Sequence, residues 1–215
     1  YLPPLVQAYQ TTGDERYAEK AKDLILDWIA KCDFSRSFIR EKYAFKSYLN
    51  LAIHAGVWSR TVRTLAFYGQ VGELELLRIL KSLHDHLAYL EIITNGHQGN
   101  WPTIGCRGML ITLEMLPVFR DTDRFSGYCR DTLDEQIADQ VLPDGVQYEL
   151  TPHYHQVVIN NLVNARRSLT ALGTDLTPEP LTALQKMVHY RQQIIVPDGS
   201  KQVAFNDSDP GAVTE

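Results

Sequence analysis

The sequence predicts an all-α protein built from antiparallel pairs of helices. Apolar residues recur at helical spacing through most of the 215 residues, and almost no segment alternates convincingly as a strand. The predicted connections are mostly short, so neighbouring helices are expected to run antiparallel. Successive antiparallel pairs form either a superhelical solenoid or a closed (α/α) toroid. Because no sequence repeat returns at a fixed period, the solenoid is the less favoured of the two.

About eight helices are predicted from apolar spacing and end signals. The first lies around residues 5–9, and the turn Thr12-Gly13-Asp14 supplies an N-cap for the second, which runs through Ile29. The other six are predicted at 43–68, 73–93, 103–119, 123–141, 152–172 and 181–195. Glycines and prolines after these stretches mark their ends. Only 201–205 has strand character.

Composition excludes several classes of protein. A hydrophobic fraction of 44% with 22% charged residues is typical of a globular domain rather than a disordered chain. The formal charge of -5 argues against a general nucleic-acid binder, although local basic residues can still form an anion site. No run of eighteen apolar residues exists, so no membrane span is predicted.

The cysteines and the chain ends give weaker information. Cys32, Cys106 and Cys129 show no metal-binding spacing and are predicted to be buried free thiols, which leaves the compartment open. The chain begins Tyr1-Leu-Pro-Pro and ends in a loop-like stretch at 207–215. We expect it to be a fragment of a longer protein.

Two polar junctions stand out against the apolar helices. One is Asn95-Gly-His-Gln-Gly-Asn-Trp-Pro102, and the other is Leu142-Pro-Asp-Gly-Val-Gln-Tyr-Glu-Leu-Thr-Pro-His-Tyr-His155. Each opens onto an apolar helix. Amide, imidazole and phenol groups at such positions are suited to proton transfer beside a charged sugar or peptide. The functional interpretation requires that both junctions face the same cleft.

Several segments occur in an order that resembles the heparinase II/III-like polysaccharide lyases, which include heparan-sulfate lyases and oligoalginate lyases. The segments are Ala8-Tyr-Gln-Thr-Thr-Gly-Asp-Glu-Arg-Tyr17, Gly99-Asn-Trp101, Asp144-Gly-Val-Gln-Tyr-Glu149, Pro152-His-Tyr-His155 and Pro197-Asp-Gly199 with Asp207-Ser-Asp209. The resemblance covers nearly the whole chain. The Asp-Gly…Glu…Pro-x-Tyr-His string is its specific part, and Thr-Gly-Asp-x-x-Tyr is the weak part.

The resemblance implies an incomplete (α/α) toroid that is truncated before a C-terminal β-sandwich domain. Residues 1–198 would be a partial toroid, and 199–215 would begin a linker or the β-sheet domain. The missing β domain of such lyases usually supplies a further active-site side chain, so the fragment alone is expected to be inactive. Members are mostly periplasmic or secreted, and this location is expected here.

The implied reaction is β-elimination on a uronate-containing glycan. Removing the C5 proton pushes negative charge onto the adjacent carboxylate, so that group must be neutralised before a base can act. Asn100 matches the family's carboxylate-binding Asn, and the helix after it offers free N–H groups. Tyr154 matches the catalytic Tyr, and His155 matches a functional His in part of the family. No metal and no cofactor are expected.

Four more residues are predicted to bind substrate. Trp101 stands where many relatives have His, so His97 or a His from the missing part could share the carboxylate, while Trp101 could stack on a sugar face. Glu149 could orient a His or Arg or bind a sugar hydroxyl. Arg107, at most two helical turns after Asn100, could contact an anionic group.

Structural interpretations compete with these roles. Tyr154 could be a core or rim aromatic, and Asn100 could be a helix cap. Only one of His153 and His155 can face the cleft, and His155 is favoured. Further expectations concern residues outside the two junctions. Arg60 and Arg63 share a helix face and could bind sulfate or carboxylate, although pairing with Glu73 or Glu75 is favoured. A solvated face is favoured over a metal site for His84 and His86, core positions are favoured over sugar platforms for Trp28 and Trp58, and a hydrogen-bonding loop is favoured over a cation site at Asp207 and Asp209.

Three functions remain open at this point. The first is a metal-free lyase whose partner is an acidic polysaccharide or oligosaccharide, with neither nucleic acid nor membrane as partner. The second is an α/α-toroid glycoside hydrolase, for which Asp144 and Glu149 form the best carboxylate pair. The third is a non-catalytic glycan-binding helical module.

Overall fold

The computed structural model describes residues 1–32, 48–97, 99–196 and 202–208, and this part of the chain is almost entirely helical. Its eight α-helices are α1 Leu2–Thr12, α2 Glu15–Lys31, α3 Tyr48–Phe67, α4 Glu73–Ile93, α5 Trp101–Met115, α6 Thr122–Gln140, α7 Pro152–Ala171 and α8 Pro178–Gln193. A 3-10 turn at Thr94–Gly96 follows α4. The predicted all-α fold is confirmed, and residues 43–47 of the predicted third helix lie outside the described residues.

The helices form two layers. Helices α1, α3, α5 and α7 pack side by side, and we call them the inner layer; each is paired with the next helix of the outer layer, α2, α4, α6 and α8. Side-chain contacts show that α3, α5 and α7 run parallel. Tyr48 and Arg63 of α3 meet Trp101 and Met115 of α5. Arg107 and Glu114 of α5 likewise bond to Asn161 and Ser168 of α7.

Parallel inner helices bring their N-terminal ends to the same end of the layer. The beginning of α3 is beside that of α5, and the matched contacts further along show that α7 begins at the same end. Helix N-termini expose unpaired N–H groups and the positive end of the helix dipole. This end of the inner layer therefore favours negative charge.

Apolar burial holds the layers together. One cluster joins the last six helices around α5, where Met109, Leu110 and Leu113 are completely buried. A second joins the first four helices around Ile25 and Leu65. Helix α5 is buried nearly all round, since ten of its fifteen residues are buried. The three cysteines are buried thiols that form no disulfide among the described residues, as predicted.

Two helix boundaries differ from the prediction for reasons of proline chemistry. Helix α5 ends at Met115 rather than at 119, because Leu116 precedes Pro117 and such a residue disfavours the helical conformation. Helix α8 begins at Pro178 rather than at 181, since proline suits the first helical position. Among the described helices, none combines the length and apolar character that crossing a bilayer requires.

The segment after α8 turns back on the helices. Instead of the predicted strand, the described residues of this segment form a single antiparallel bridge between Ile195 and Gln202, supported by Val203 N–H donating to the Ile194 carbonyl at 2.9 Å. Asn206 then donates its side-chain amide to the Leu150 carbonyl at 2.8 Å. This segment therefore packs against the loop that leads into α7.

Candidate active site

Asn100 stands at the N-terminal end of α5 without capping it. Its carbonyl accepts hydrogen bonds from the Thr103 hydroxyl at 2.7 Å and from Ile104 N–H at 3.2 Å. Its side chain makes no capping hydrogen bond. The backbone of Asn100 is therefore fixed by the first turn, while its amide group is not used by the helix end.

Tyr154 lies in the first turn of α7. Thr151 is the N-cap, and its hydroxyl accepts a hydrogen bond from Tyr154 N–H at 3.0 Å. The phenol ring is half-buried and stands edge-on to the His153 ring, with their centroids 5.3 Å apart. The capped turn thus fixes the backbone of Tyr154 and leaves part of the ring accessible.

The two polar junctions meet at Gly99. The Gln140 side chain donates to the Gly99 carbonyl at 2.7 Å, and Tyr148 N–H donates to the Gln140 carbonyl at 2.9 Å. Gly99 has a φ of 69°, and a Cβ added to it would lie 3.5 Å from both Glu149 Oε1 and the Tyr148 hydroxyl. Glycine is suited to this left-handed conformation. The residue before Asn100 therefore touches the loop that leads to Tyr154.

An aromatic cluster flanks Asn100. The His97 ring lies 4.2 Å from the Tyr48 ring and 4.9 Å from the Trp101 ring, and the Tyr48 and Trp101 rings are parallel at 6.0 Å. Burial lowers the pKa of His97, so its neutral form is favoured. Trp101 remains 38% exposed, which leaves ring surface open to a ligand.

The loop before α7 is held by Gln147, which is completely buried. Its side-chain amide donates to Glu149 Oε1 at 3.0 Å, and Glu149 N–H donates back to Gln147 Oε1 at the same distance. Burial and the neighbouring Glu149 carboxylate raise the pKa of Tyr148. Glu149 is thus oriented by a neutral amide, and no hydrogen bond or ion pair joins it to a His or Arg in the described part of the chain.

The prediction that His155 faces the cleft is wrong. Its ring is only 1% exposed, Nδ1 accepts the Gln147 N–H at 3.2 Å, and Nε2 lies 3.1 Å from the Met187 carbonyl. Burial lowers the pKa of His155. Both ring nitrogens are used to join the loop, α7 and α8, so the described contacts of the ring are structural. His153, two residues earlier, is the half-buried member of the pair.

Arg107 lies along α5, away from the Asn100 end. It is seven residues further on, roughly 10 Å along the helix axis. Its Nη1 donates to the Asn161 side-chain carbonyl of α7 at 3.0 Å. The side chain is half-buried and lines a cleft between α3 and α5. The Arg107 side chain therefore lies in the cleft between α3 and α5 and is not part of the aromatic cluster beside Asn100.

Sequence reasoning missed Gln140, Tyr148 and Tyr48. Gln140 is buried at the end of α6, and a polar residue at an otherwise apolar helical position was the available signal. Tyr148 is part of the motif that carries the resemblance, but its approach to Gly99 depends on the loop conformation. Tyr48 is brought to His97 only by the packing of α3 on α5.

Several predictions outside the site have clear outcomes. Trp58 is a core residue as predicted, whereas His86 is completely buried and not on a solvated face. Glu75 bonds to Lys22 at 3.0 Å, and no ion pair joins Arg60 or Arg63 to an acid in the described residues. Within those residues no group of three or more metal-ligating side chains occurs. Asp209 lies outside the described part.

The two layers of paired helices, with parallel inner helices, are the architecture of an (α/α) toroid. Residues 1–214 match the family model described as the Heparinase II/III N-terminus, and the chain belongs to this family. It is similar to a heparin-sulfate lyase of Bacteroides stercoris (24% identity; 92% of this chain and 32% of that protein). A heparin-sulfate lyase of Pedobacter heparinus is similar at 25% identity, with 93% and 30% covered.

Solved structures agree on the fold. A mutant of heparan sulfate lyase HepC from Pedobacter heparinus superposes with a TM-score of 0.77 at 24% identity, over 92% of this chain and 31% of that one. A crystal structure titled Heparinase III gives a TM-score of 0.77 at 16% identity, over 96% and 31%. The chain thus spans about a third of the length of the curated relatives it matches.

Proposed function

We propose that the full-length protein is a polysaccharide lyase that cleaves a uronate-containing glycan by β-elimination. The contact of the two polar junctions at Gly99 carries this proposal, because it sets Asn100 beside the loop that leads to Tyr154. The relatives named as heparin-sulfate lyases support the lyase class and an acidic polysaccharide as substrate. We expect a further active-site side chain from a C-terminal β domain, and no activity from residues 1–215 alone.

The first task of the site is to neutralise the uronate carboxylate. The side chain of Asn100 is not used for capping, so its amide N–H can donate to the carboxylate. The N-terminal end of α5 adds its dipole and free N–H groups. Both interactions strengthen as the C5 proton leaves, because negative charge then accumulates on the carboxylate. Interactions that are stronger in the transition state than in the bound substrate lower the barrier. The step requires no metal.

Tyr154 is then the proton-transfer group. Its phenolate takes the C5 proton, the electron pair of the C5–H bond forms the C4–C5 double bond, and the C4–O bond to the next sugar breaks. The phenol returns the proton to the leaving oxygen when both events occur on one face of the ring. Tyr154 lies in the first turn of α7, whose positive dipole end favours negative charge on the phenol oxygen.

The surrounding residues are assigned binding roles. The exposed part of the Trp101 ring can stack on a sugar face, and neutral His97 can hydrogen-bond to the substrate. Glu149 accepts from Gln147 through one oxygen, so the carboxylate can also accept from a sugar hydroxyl. His155 acts only through the loop that it holds. Heparan sulfate and alginate both suit these groups, and a periplasmic location is proposed from the family.

Replacing Tyr154 by Phe tests the proposal. In the full-length protein we expect Tyr154→Phe to abolish the ultraviolet absorbance of the new double bond when heparan sulfate or alginate is supplied, because the proton acceptor is lost. Asn100→Ala should lower turnover by about 100-fold or more, the typical loss for one charge-stabilising donor. Tyr17→Phe, on α2 of the outer layer, serves as the matched control and should form the double bond at the same rate as the parent protein.

The products separate the alternatives. A saturated reducing end would indicate a glycoside hydrolase, which requires two opposed carboxylates. Asp144 accepts from Val146 N–H at 3.1 Å on an exposed turn, close in sequence to Glu149. Binding without turnover that survives loss of both Asn100 and Tyr154 would indicate a glycan-binding module. Retained double-bond formation in Tyr154→Phe would remove Tyr154 from the mechanism.

A further inference from the structure

The inner layer has a charge opposite to that of the whole chain. Its four helices contain five arginines, no lysine and a single carboxylate, Glu114. The chain carries a net charge of -5. Acidic residues are therefore concentrated elsewhere, and the inner layer attracts anions even though the protein as a whole repels them.

Two of these arginines line one cleft between α3 and α5. Arg60 of α3 and Arg107 of α5 share its wall with Ile53, Val57 and Ile104, and the cleft encloses about 110 Å³. That space admits a small anionic group attached to a larger ligand that lies outside. Apolar walls around charged groups strengthen electrostatic contacts by excluding water.

Arg107 has unmet hydrogen-bonding capacity in this cleft. Its Nη1 donates to a neutral acceptor, the side-chain Oδ1 of Asn161, at 3.0 Å. Its Nε is buried and has no hydrogen-bond partner in the described part of the chain, and the same holds for the Asn161 side-chain nitrogen. Burial, followed by the positive charge of Arg60, lowers the pKa of Arg107. Buried donors without acceptors are rare and costly in native proteins.

The single carboxylate of the inner layer is engaged elsewhere. Glu114 accepts the Ser168 hydroxyl at 2.6 Å, two helical turns beyond Arg107. No ion pair to Arg60 or Arg107 exists among the described residues. The acid that would normally accompany two neighbouring guanidinium groups is therefore missing from this part of the chain, and an external anion would complete the arrangement.

We propose that the Arg60–Arg107 cleft binds an anionic substituent, sulfate or carboxylate, of the glycan whose reacting uronate lies at Asn100. This subsite rests on the proposed function. Arg107 is roughly 10 Å along α5 from Asn100, so one oligosaccharide can reach both positions. Arginine is suited to both anions because its planar donors bind their oxygens in pairs.

The test measures binding rather than turnover. Binding of a heparan sulfate oligosaccharide to the full-length protein, in a Tyr154→Phe background, is measured by calorimetry for Arg60→Gln, Arg107→Gln and the control Arg130→Gln. Arg130 is on the outer helix α6 and pairs with Asp131. We expect each cleft variant to lose about tenfold in affinity and the control to lose none. Arg60 is exposed, so its variant is expected to fold.

A desulfated oligosaccharide of equal length identifies the anion. If the cleft variants lose affinity only for the sulfated oligosaccharide, the cleft binds sulfate. If they lose the same affinity for both oligosaccharides, the cleft binds a carboxylate. Unchanged affinity of both cleft variants overturns the subsite, and the lyase proposal then stands if the parent protein still forms double bonds. If the parent protein shows no lyase activity but its binding still depends on the two arginines, the subsite proposal is supported and the lyase proposal is rejected.

Discussion

Helix α5 contacts its two neighbours in the inner layer in different ways. On the α3 side, Gly108 lies so close to the Ala52 carbonyl that a Cβ would overlap the backbone, and Ile111 packs against Gly56. On the α7 side, the contacts include the polar bonds Arg107–Asn161 and Glu114–Ser168. We call these the α3 seam and the α7 seam.

The α3 seam and the α7 seam each position a different part of the candidate site. The α3 seam places Tyr48 against His97 and Trp101 through backbone shape, which leaves little room for adjustment. The α7 seam relates the helix of Asn100 to that of Tyr154 partly through individual hydrogen bonds. Single side-chain changes should therefore be severe on the α3 seam and graded on the α7 seam.

The largest effect is expected from Gly108→Ala. The added methyl group must push α3 away from α5, which should lower the free energy of unfolding by about 3 kcal/mol. Urea unfolding followed by tryptophan fluorescence measures it. Gly127→Ala is the matched control, because no atom lies within 4 Å of the added Cβ on α6 and alanine is the better helix former there. Equal stability of Gly108→Ala and the parent would show that the seam can adjust.

Acid should weaken the outer side of α3, and the effect of each buried histidine is expected to be smaller than that of Gly108→Ala. His54 and His86 pack around Trp58 with ring separations near 5 Å. Burial lowers the pKa of both to about 4, against 6.5 in the unfolded chain. Between these values the unfolded chain binds more protons, so stability is present above pH 6.5 and is lost as the pH falls toward 4.

At pH 5 the expected loss is at most about 2 kcal/mol for each histidine. Urea unfolding at pH 7 and pH 5 measures it, and His54→Phe should remove up to half of the difference. A pH dependence that is unchanged in His54→Phe would mean that other groups cause it.

The smallest effect is expected on the α7 seam. Ser168→Ala removes the hydroxyl that donates to Glu114, and we expect a loss of about 1–2 kcal/mol in the free energy of unfolding. A double-mutant cycle with Glu114→Gln isolates the bond from other effects of either change. If the changes in the free energy of unfolding of the two single variants add up to that of the double variant, the two side chains are not coupled.

The sequence by itself determined the helices and supplied the residues proposed for the candidate site. Apolar spacing located all eight α-helices of the described residues, and the end signals failed mainly where proline set a boundary, as at Leu116 and Pro178. The motif residues Asn100 and Tyr154 were chosen from sequence and lie at helix N-termini. Local preferences act over a few residues, which is why a sequence reveals them.

Only the tertiary structure decided which side chains face one another. His155 and His86 have the same chemistry as His153 and His84, yet helix packing buries the first pair and leaves the second partly accessible. The contact at Gly99 joins residues more than forty positions apart through a left-handed turn and a buried glutamine. Burial and long-range pairing depend on how whole helices pack, and that information is not contained in any short stretch of the chain.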